Sequence, residues 1–168
     1  MEAGGQRENR IDSWYPETYD SSDVTRFPSR TDDTSMPSRL KTISQKVLVT
    51  ATPAAVYGAF VNAKKHAAFT HSPATGTGRV GGKFTAWDGY ISGVNRVLVK
   101  NKKIVQDWQT TAWPEGAQPS RLQLTFRATK GGTEICMVHS KVPAEQADSY
   151  RRGWVDFYWV PLQAYFST

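Results

Sequence analysis

At 168 residues, with 39% hydrophobic and 12% aromatic side chains, the chain has the size and composition of one globular domain with a sizeable core. A single cysteine, Cys136, excludes an internal disulfide, and no apolar run approaches the roughly 18 residues of a membrane helix. The formal net charge of +6 conceals a split: residues 1–40 hold five Lys/Arg against eight Asp/Glu, leaving sixteen against seven for residues 41–168.

The first ten residues, MEAGGQRENR, contain acids and no apolar h-region, which argues against a secretory signal and leaves cytosol or nucleus as the default, with the cytoplasm the expected location. Residues 1–40 combine Ser, Thr, Asp and Arg with three prolines and no period of 2 or 3.6. They are expected to form a disordered acidic tail ahead of a domain at 41–168, because they cannot bury enough apolar surface to offset ordering. Two aromatic islands in the tail, Trp14-Tyr15 with Tyr19 and Phe27-Pro28, could dock on a partner or back on the basic domain. An acidic segment tethered to a basic domain would compete with an acidic partner.

From Ile43 to Thr50, Ile43, Val47 and Val49 share one parity, the pattern of a strand. Thr52-Pro53 then offers an N-cap and a first helical position, and Val56, Tyr57 and Phe60 give the short helix an apolar face. A second short helix is expected over Lys64 to Phe69. From Arg79 onward the pattern changes to strands and tight turns. Asp88-Gly89 favours a type I′ turn, Gly93 suggests a bulge in the following strand, and Asn101 to Lys103 forms another turn. Ile104 and Trp108 share a parity in the next strand, and Trp113-Pro114-Glu115-Gly116 opens an exposed loop. Leu122, Leu124, Phe126 and Ala128 alternate with Gln123, Thr125 and Arg127, so one face of that strand is buried. Gly131-Gly132 turns into the last strand.

The chain then ends on Glu145 to Phe166, which is dense in aromatic side chains. On a helix, Trp154, Phe157, Tyr158, Pro161, Leu162 and Tyr165 form one stripe, widened by Val155, Trp159 and Phe166. Such a helix must be covered on most of its circumference, with Pro161 kinking it near Phe157. The order predicts an α+β fold: a curved antiparallel sheet of about six strands, two short helices after the first, and a long C-terminal helix packed across the sheet.

Candidate chemistry is sparse. No acid pair stands out for general acid and base roles. His66 and His71 lie five apart, which is not the i, i+4 spacing of a helical metal pair, and His139 reads as a satisfied structural histidine. Cys136 reads as a buried thiol with nothing nearby in sequence to lower its pKa. The glycines at 76, 78, 81 and 82 lead into a strand and not into the Lys-Ser/Thr helix of a phosphate loop. No metal, cofactor, nucleic acid or membrane partner is expected, and the reading is of a protein that is not an enzyme. A basic domain suits an acidic protein partner, although its lysines are scattered as on a solvated face. Phe60, Phe69, Phe84, Trp87, Trp108, Phe126, Trp154, Phe157 and Tyr158 could line a cavity between sheet and helix, open to a small hydrophobic ligand, or fill it.

Gly81 to Phe84 (GGKF), Asp88-Gly89, Ser92-Gly93, Trp108, Leu124 to Phe126, Gly132 to Glu134, Pro143 and Gly153-Trp154 resemble the START-like, Bet v 1-like helix-grip superfamily. Ala68 to Thr75 (AFTHSPAT), Trp113 to Gly116 (WPEG), Glu134 to Ala144 and Gly153 to Phe166 resemble the C-terminal domain of the activators of the Hsp90 ATPase, which are co-chaperones. The resemblance covers about residues 43–166. It implies a helix-grip fold and contact with an Hsp90-type chaperone. Residues 1–40 do not match the Asn-rich, Trp-His-Trp motif of that family's N-terminal docking domain, Gln109 stands where Arg is usual, and Pro161 stands where Gly is common. Candidate partner-binding residues are Trp113, Pro114, Glu115 and Gly116, because the loop has no evident packing reason to keep a glutamate, together with Lys102 and Lys103.

Overall fold

The strand expected from Ile43 begins at Leu40 and runs to Val49 (β1), with Ile43 and Val49 buried on its inner face. The computed structural model describes residues 39–168, so the expectations for the acidic tail lie outside the described residues. The Thr52 side chain accepts a hydrogen bond from the Ala55 N–H at 3.2 Å, and Pro53 opens α1 (Pro53–Val61). Asn62 caps α2 (Ala63–Thr70) in the same way, accepting from the Lys65 N–H at 3.1 Å. His71 then takes a left-handed conformation with φ 55° and ends the helix.

The chain continues through β2 (Thr75–Gly76), β3 (Lys83–Ala86), β4 (Ile91–Val99), β5 (Lys103–Thr110), β6 (Ser120–Thr129) and β7 (Gly132–Pro143). These join β1 in one antiparallel sheet of order β1-β7-β6-β5-β4-β3-β2. The seventh strand, absent from the sequence expectation, is the two-residue β2, too short to show a period. Between β3 and β4 the Tyr90 N–H bonds the Trp87 carbonyl at 3.1 Å, and Asp88 and Gly89 have φ 54° and 84°, the type I′ geometry their pairing favours.

The bulge expected at Gly93 lies instead between Asn95 and Val97. Gly93 pairs regularly with Phe84 and Trp108 and is glycine for a different reason. A Cβ there would sit 2.0 Å from the Asp107 carbonyl oxygen and 2.6 Å from the Phe84 ring. Gly93→Ala is therefore expected to cost about 2 kcal/mol or more by separating β4 from β5, read as a lower urea midpoint. An unchanged midpoint would mean that the two strands can move apart without cost.

The C-terminal element runs from Ala147 to Phe166 as α3 (Ala147–Trp154), a π turn (Val155–Trp159) and α4 (Val160–Phe166). Within the π turn the Val160 N–H reaches the Val155 carbonyl. Where the proline kink was expected, the backbone widens over the stretch where the Pro161 ring would meet the Phe157 carbonyl. The wide turn also lets three consecutive aromatics, Phe157, Tyr158 and Trp159, all be buried, while Val155 and Tyr165 of the expected stripe face outward. Side-chain bonds tie this element to β1. Trp159 Nε1 donates to Gln45 Oε1 at 2.6 Å, Gln45 Nε2 to the Arg151 carbonyl at 2.8 Å, and Gln163 Nε2 to the Leu48 carbonyl at 2.9 Å.

Candidate functional site

The inner face of the sheet and the helices enclose a cavity of about 30 Å³. Of the nine aromatic residues expected around it, Phe60, Phe84, Trp108, Trp154 and Tyr158 line it. The other four pack as core: Phe69 on Tyr158 at 6.0 Å, Trp87 on Phe157 at 5.4 Å, and Phe126 on Tyr57 at 5.9 Å. A drug-sized ligand needs several hundred Å³, so in this conformation the cavity admits no more than a water or two.

Its wall also carries polar groups that the aromatic pattern did not reveal. Asn95 is buried and accepts from Gln106 Nε2 at 2.9 Å, while Thr75 and Thr85 hydroxyls meet at 2.7 Å across β2 and β3. The signal lay in the parity of β5, where Gln106 falls between Ile104 and Trp108 on the inward set. His66 Nε2 lies 3.3 Å from the Tyr158 hydroxyl. Burial pulls the His66 imidazole down to about 4, against a smaller opposing hydrogen bond that it donates to the Phe60 backbone, and burial raises the Tyr158 hydroxyl. Both groups are neutral near pH 7.

His139 is the satisfied structural histidine expected. Trp154 Nε1 donates to His139 Nδ1 at 3.1 Å, which places the ring proton on Nε2. That proton is donated to Ser120 Oγ at 2.7 Å, and Ser120 in turn donates to the Trp108 carbonyl at 2.7 Å. The imidazole is fully buried, and burial holds its pKa down to about 3. Every acceptor and donor in this relay is used between protein groups, so it fixes the core.

The loop Trp113 to Gly116 divides into two parts. Trp113 is only 8% exposed, and its Nε1 donates to the Tyr150 hydroxyl at 2.8 Å, which also meets Thr110 Oγ1 at 2.7 Å. It anchors the loop from inside and offers little surface. Pro114, Glu115 and Gly116 are exposed at a tight turn, closed by the Ala117 N–H on the Pro114 carbonyl at 3.0 Å, with Gly116 at φ 78°. Trp113→Phe removes a buried hydrogen bond and is expected to cost about 1 to 2 kcal/mol, whereas Glu115→Ala should change stability by less than about 0.5 kcal/mol. Equal losses in chemical denaturation would contradict this division.

Lys102 and Lys103 lie at the other end of β5 from that turn, separated from it by the strand's length of roughly 23 Å at about 3.3 Å per residue. The six candidate partner-binding residues therefore form two patches. Around Lys102 and Lys103 the hairpin turns also place Lys100, Arg127 and Lys130, with Glu134 the acid among them, bonded to Arg127 at 2.8 Å. The turns at the opposite end carry Asp88, Glu115 and Glu145. Five basic residues are thus brought together at one end of the sheet, which the scattered lysines of the sequence did not show, while Lys41, Arg121 and Lys141 lie toward the other end.

Cys136 is half-buried, not buried as expected, because its strand parity directs it to the outer face, with Sγ 3.7 Å from Glu134 Oε1. Among the described residues, no cluster of three or more His, Cys, Asp or Glu could hold a metal ion, and no helix is long and apolar enough to cross a membrane.

The family described as activator of Hsp90 ATPase homolog 1-like protein matches residues 50–167. Among curated proteins, activator of 90 kDa heat shock protein ATPase homolog 1 of Homo sapiens is 36% identical over 124 residues, 74% of this chain and 36% of that protein. The homolog from Dictyostelium discoideum is 35% identical over 115 residues, 68% of this chain and 30% of that protein. The chain thus spans about a third of the length of these relatives. A solved structure of an HSP90 activator from Plasmodium falciparum superposes with a TM-score of 0.67 at 23% identity, covering 76% of this chain and 96% of that one. At that identity the superposition shows the fold, a helix-grip sheet around a C-terminal helix.

Proposed function

We propose, from the premise that this chain belongs to the family of activator of Hsp90 ATPase homolog 1-like proteins, that it is a cytoplasmic co-chaperone that binds an Hsp90-type chaperone and modulates its ATPase cycle. The family match across the folded domain carries this reading. The basic cluster at one end of β5 gives it a surface. The basic end, with Lys100, Lys102, Lys103 and Lys130, suits an acidic protein face, and the exposed turn Pro114 to Gly116 offers a second contact. A partner that engages both must span roughly 23 Å, the scale of a protein interface and not of a small ligand.

The test is the chaperone's ATPase rate with and without this protein, paired with a binding titration at low and high salt. Binding is expected to weaken as salt rises, since exposed charges are screened beyond about 10 Å at 0.1 M. Lys102→Glu with Lys103→Glu should weaken it at least about tenfold, through both the lost attraction and the new repulsion. No binding by the unaltered protein at low salt would retire the reading; binding that is unaffected by the double variant would move the contact to the turn Pro114 to Gly116.

A second reading, a carrier or sensor of a small hydrophobic ligand, draws on the aromatic-walled cavity with its Asn95 and Gln106 side. It requires α1 and α2 to part from the sheet. Native mass spectrometry of the purified protein is its test, and a mass matching the bare polypeptide would count against it.

A further inference from the structure

The outer face of the sheet lies opposite the helices, which pack on its inner face through contacts such as Tyr57 with Phe126 and Trp154 with Trp108. The register aligns Val97, Val105, Gln123 and Val138 in one outward row across β4, β5, β6 and β7. Val97 is 41% and Val138 38% exposed, and Val99 beside them is 43% exposed, an uncommon run of valines for a wet sheet face. Charge surrounds this strip. On one side Arg96 and Arg121 both pair with Asp107; on the other, Lys103 and Lys46 share a row through Thr125 and Cys136, next to the Arg127–Glu134 pair. Five basic groups against two acids leave the face net positive.

The sequence holds a segment of matching chemistry. From Asp12 to Asp23 the chain reads DSWYPETYDSSD, with four acids, three aromatics and no Lys or Arg. It is tethered to the edge strand of the same sheet, because β1 starts at Leu40. By the random-coil rule the 16 intervening residues would reach roughly 22 Å, and the four strand spacings from β1 to β4 span about 19 Å. A tether of that length would hold the segment over the face at high effective concentration.

We propose that Asp12 to Asp23 docks in cis on the outer face of the sheet, with Trp14, Tyr15 and Tyr19 covering the exposed Val97, Val99 and Val138 around the already buried Val105 and the carboxylates facing Lys46, Lys103 and Arg127. The inference is independent of any chaperone. Large amphipathic aromatics are the side chains that cover a small apolar strip with a charged rim most economically.

The experiment places a nitroxide on the full chain through Ser13→Cys in a Cys136→Ser background and reads paramagnetic broadening of the backbone amides. At about 50 mM salt the amides of Val97, Val105, Gln123 and Val138 should lose at least about half their intensity relative to the reduced label, and recover it near 500 mM. Lys46→Glu with Lys103→Glu, both outward-facing and so not expected to disturb the core, should restore the signals at low salt; an unchanged melting temperature checks that the fold is kept. No broadening, or broadening confined to the turns at Lys100 and Lys130, overturns the proposal. Mixing nitroxide-bearing chain with isotope-labelled chain lacking the nitroxide distinguishes the copies: broadening that persists in the mixture assigns the face to a second copy or another molecule and also overturns docking in cis.

Discussion

Trp154→Ala is expected to cost about 3 to 5 kcal/mol, the range for removing a large buried aromatic, and with it a large fraction of a domain's net stability. Trp154 is 1% exposed and sits at the junction of the C-terminal helix and the sheet. Its ring lies 5.3 Å from Trp159, 4.5 Å from Tyr158 and 6.0 Å from Trp108. Truncation therefore opens a void among aromatics that cannot easily collapse. It also takes the donor from His139 Nδ1, leaving a buried acceptor unpaired in the relay to Ser120. Trp154→Phe separates the two contributions, since it keeps most of the ring volume and loses the N–H. The Phe variant should fall between the Ala variant and the unaltered protein in equilibrium urea unfolding. A loss under about 1 kcal/mol for Trp154→Ala would mean that the helix is not gripped as described.

Acid should destabilise the protein well before its carboxylates titrate. His139 is held near 3 by burial, while in the unfolded chain it titrates near 6.5. Its contribution is fully present above pH 6.5 and is lost progressively as pH falls toward 3, because over that window the unfolded state binds a proton that the folded state refuses. By pH 4 this amounts to about 3 kcal/mol, at about 1.4 kcal/mol per pH unit. Protonation of Nδ1 would also set an N–H against the Trp154 N–H, so the relay cannot adapt. His66, held down to about 4, adds loss of the same sign between pH 6.5 and 4. Glu134, lowered by Arg127, contributes in the same direction at the acid end of the range. Unfolding free energies at pH 7, 5.5 and 4 check this. His139→Gln should flatten the slope between pH 6.5 and 4 even though it lowers stability throughout; a slope unaltered by that change would assign the acid sensitivity to other groups.

The order of elements, the two short helices, the type I′ turn at Asp88-Gly89 and the aromatic C-terminal helix were all legible in the sequence. Each rests on a local rule: parity in a strand, a side chain capping a helix, the backbone freedom of glycine or the period of a helix. The π turn at Val155–Trp159 was not legible, since a helical wheel assumes one period throughout and the local widening answers a proline and three adjacent aromatics at once. Gly93 misled for a related reason: its role is the close approach of Phe84 and Asp107 from neighbouring strands, and no nearby residue records it.

The candidate site shows the same boundary. The sequence by itself determined that the domain is basic, that Trp113-Pro114-Glu115-Gly116 forms a loop, and that the bulky aromatics face inward, because charge, turn chemistry and side-chain parity are local properties. Only the tertiary structure decided that Trp113 is an anchor, that Lys102 and Lys103 are separated from the turn at Glu115 by the length of β5, about 23 Å, that Lys100, Lys102, Lys103 and Lys130 meet at one end of the sheet, and that four of nine aromatics fill the core and do not line the cavity. Those outcomes depend on strand register and on which hairpin turns meet. Register is fixed by long-range pairing and packing, so charges far apart in the chain become neighbours only once the sheet has formed.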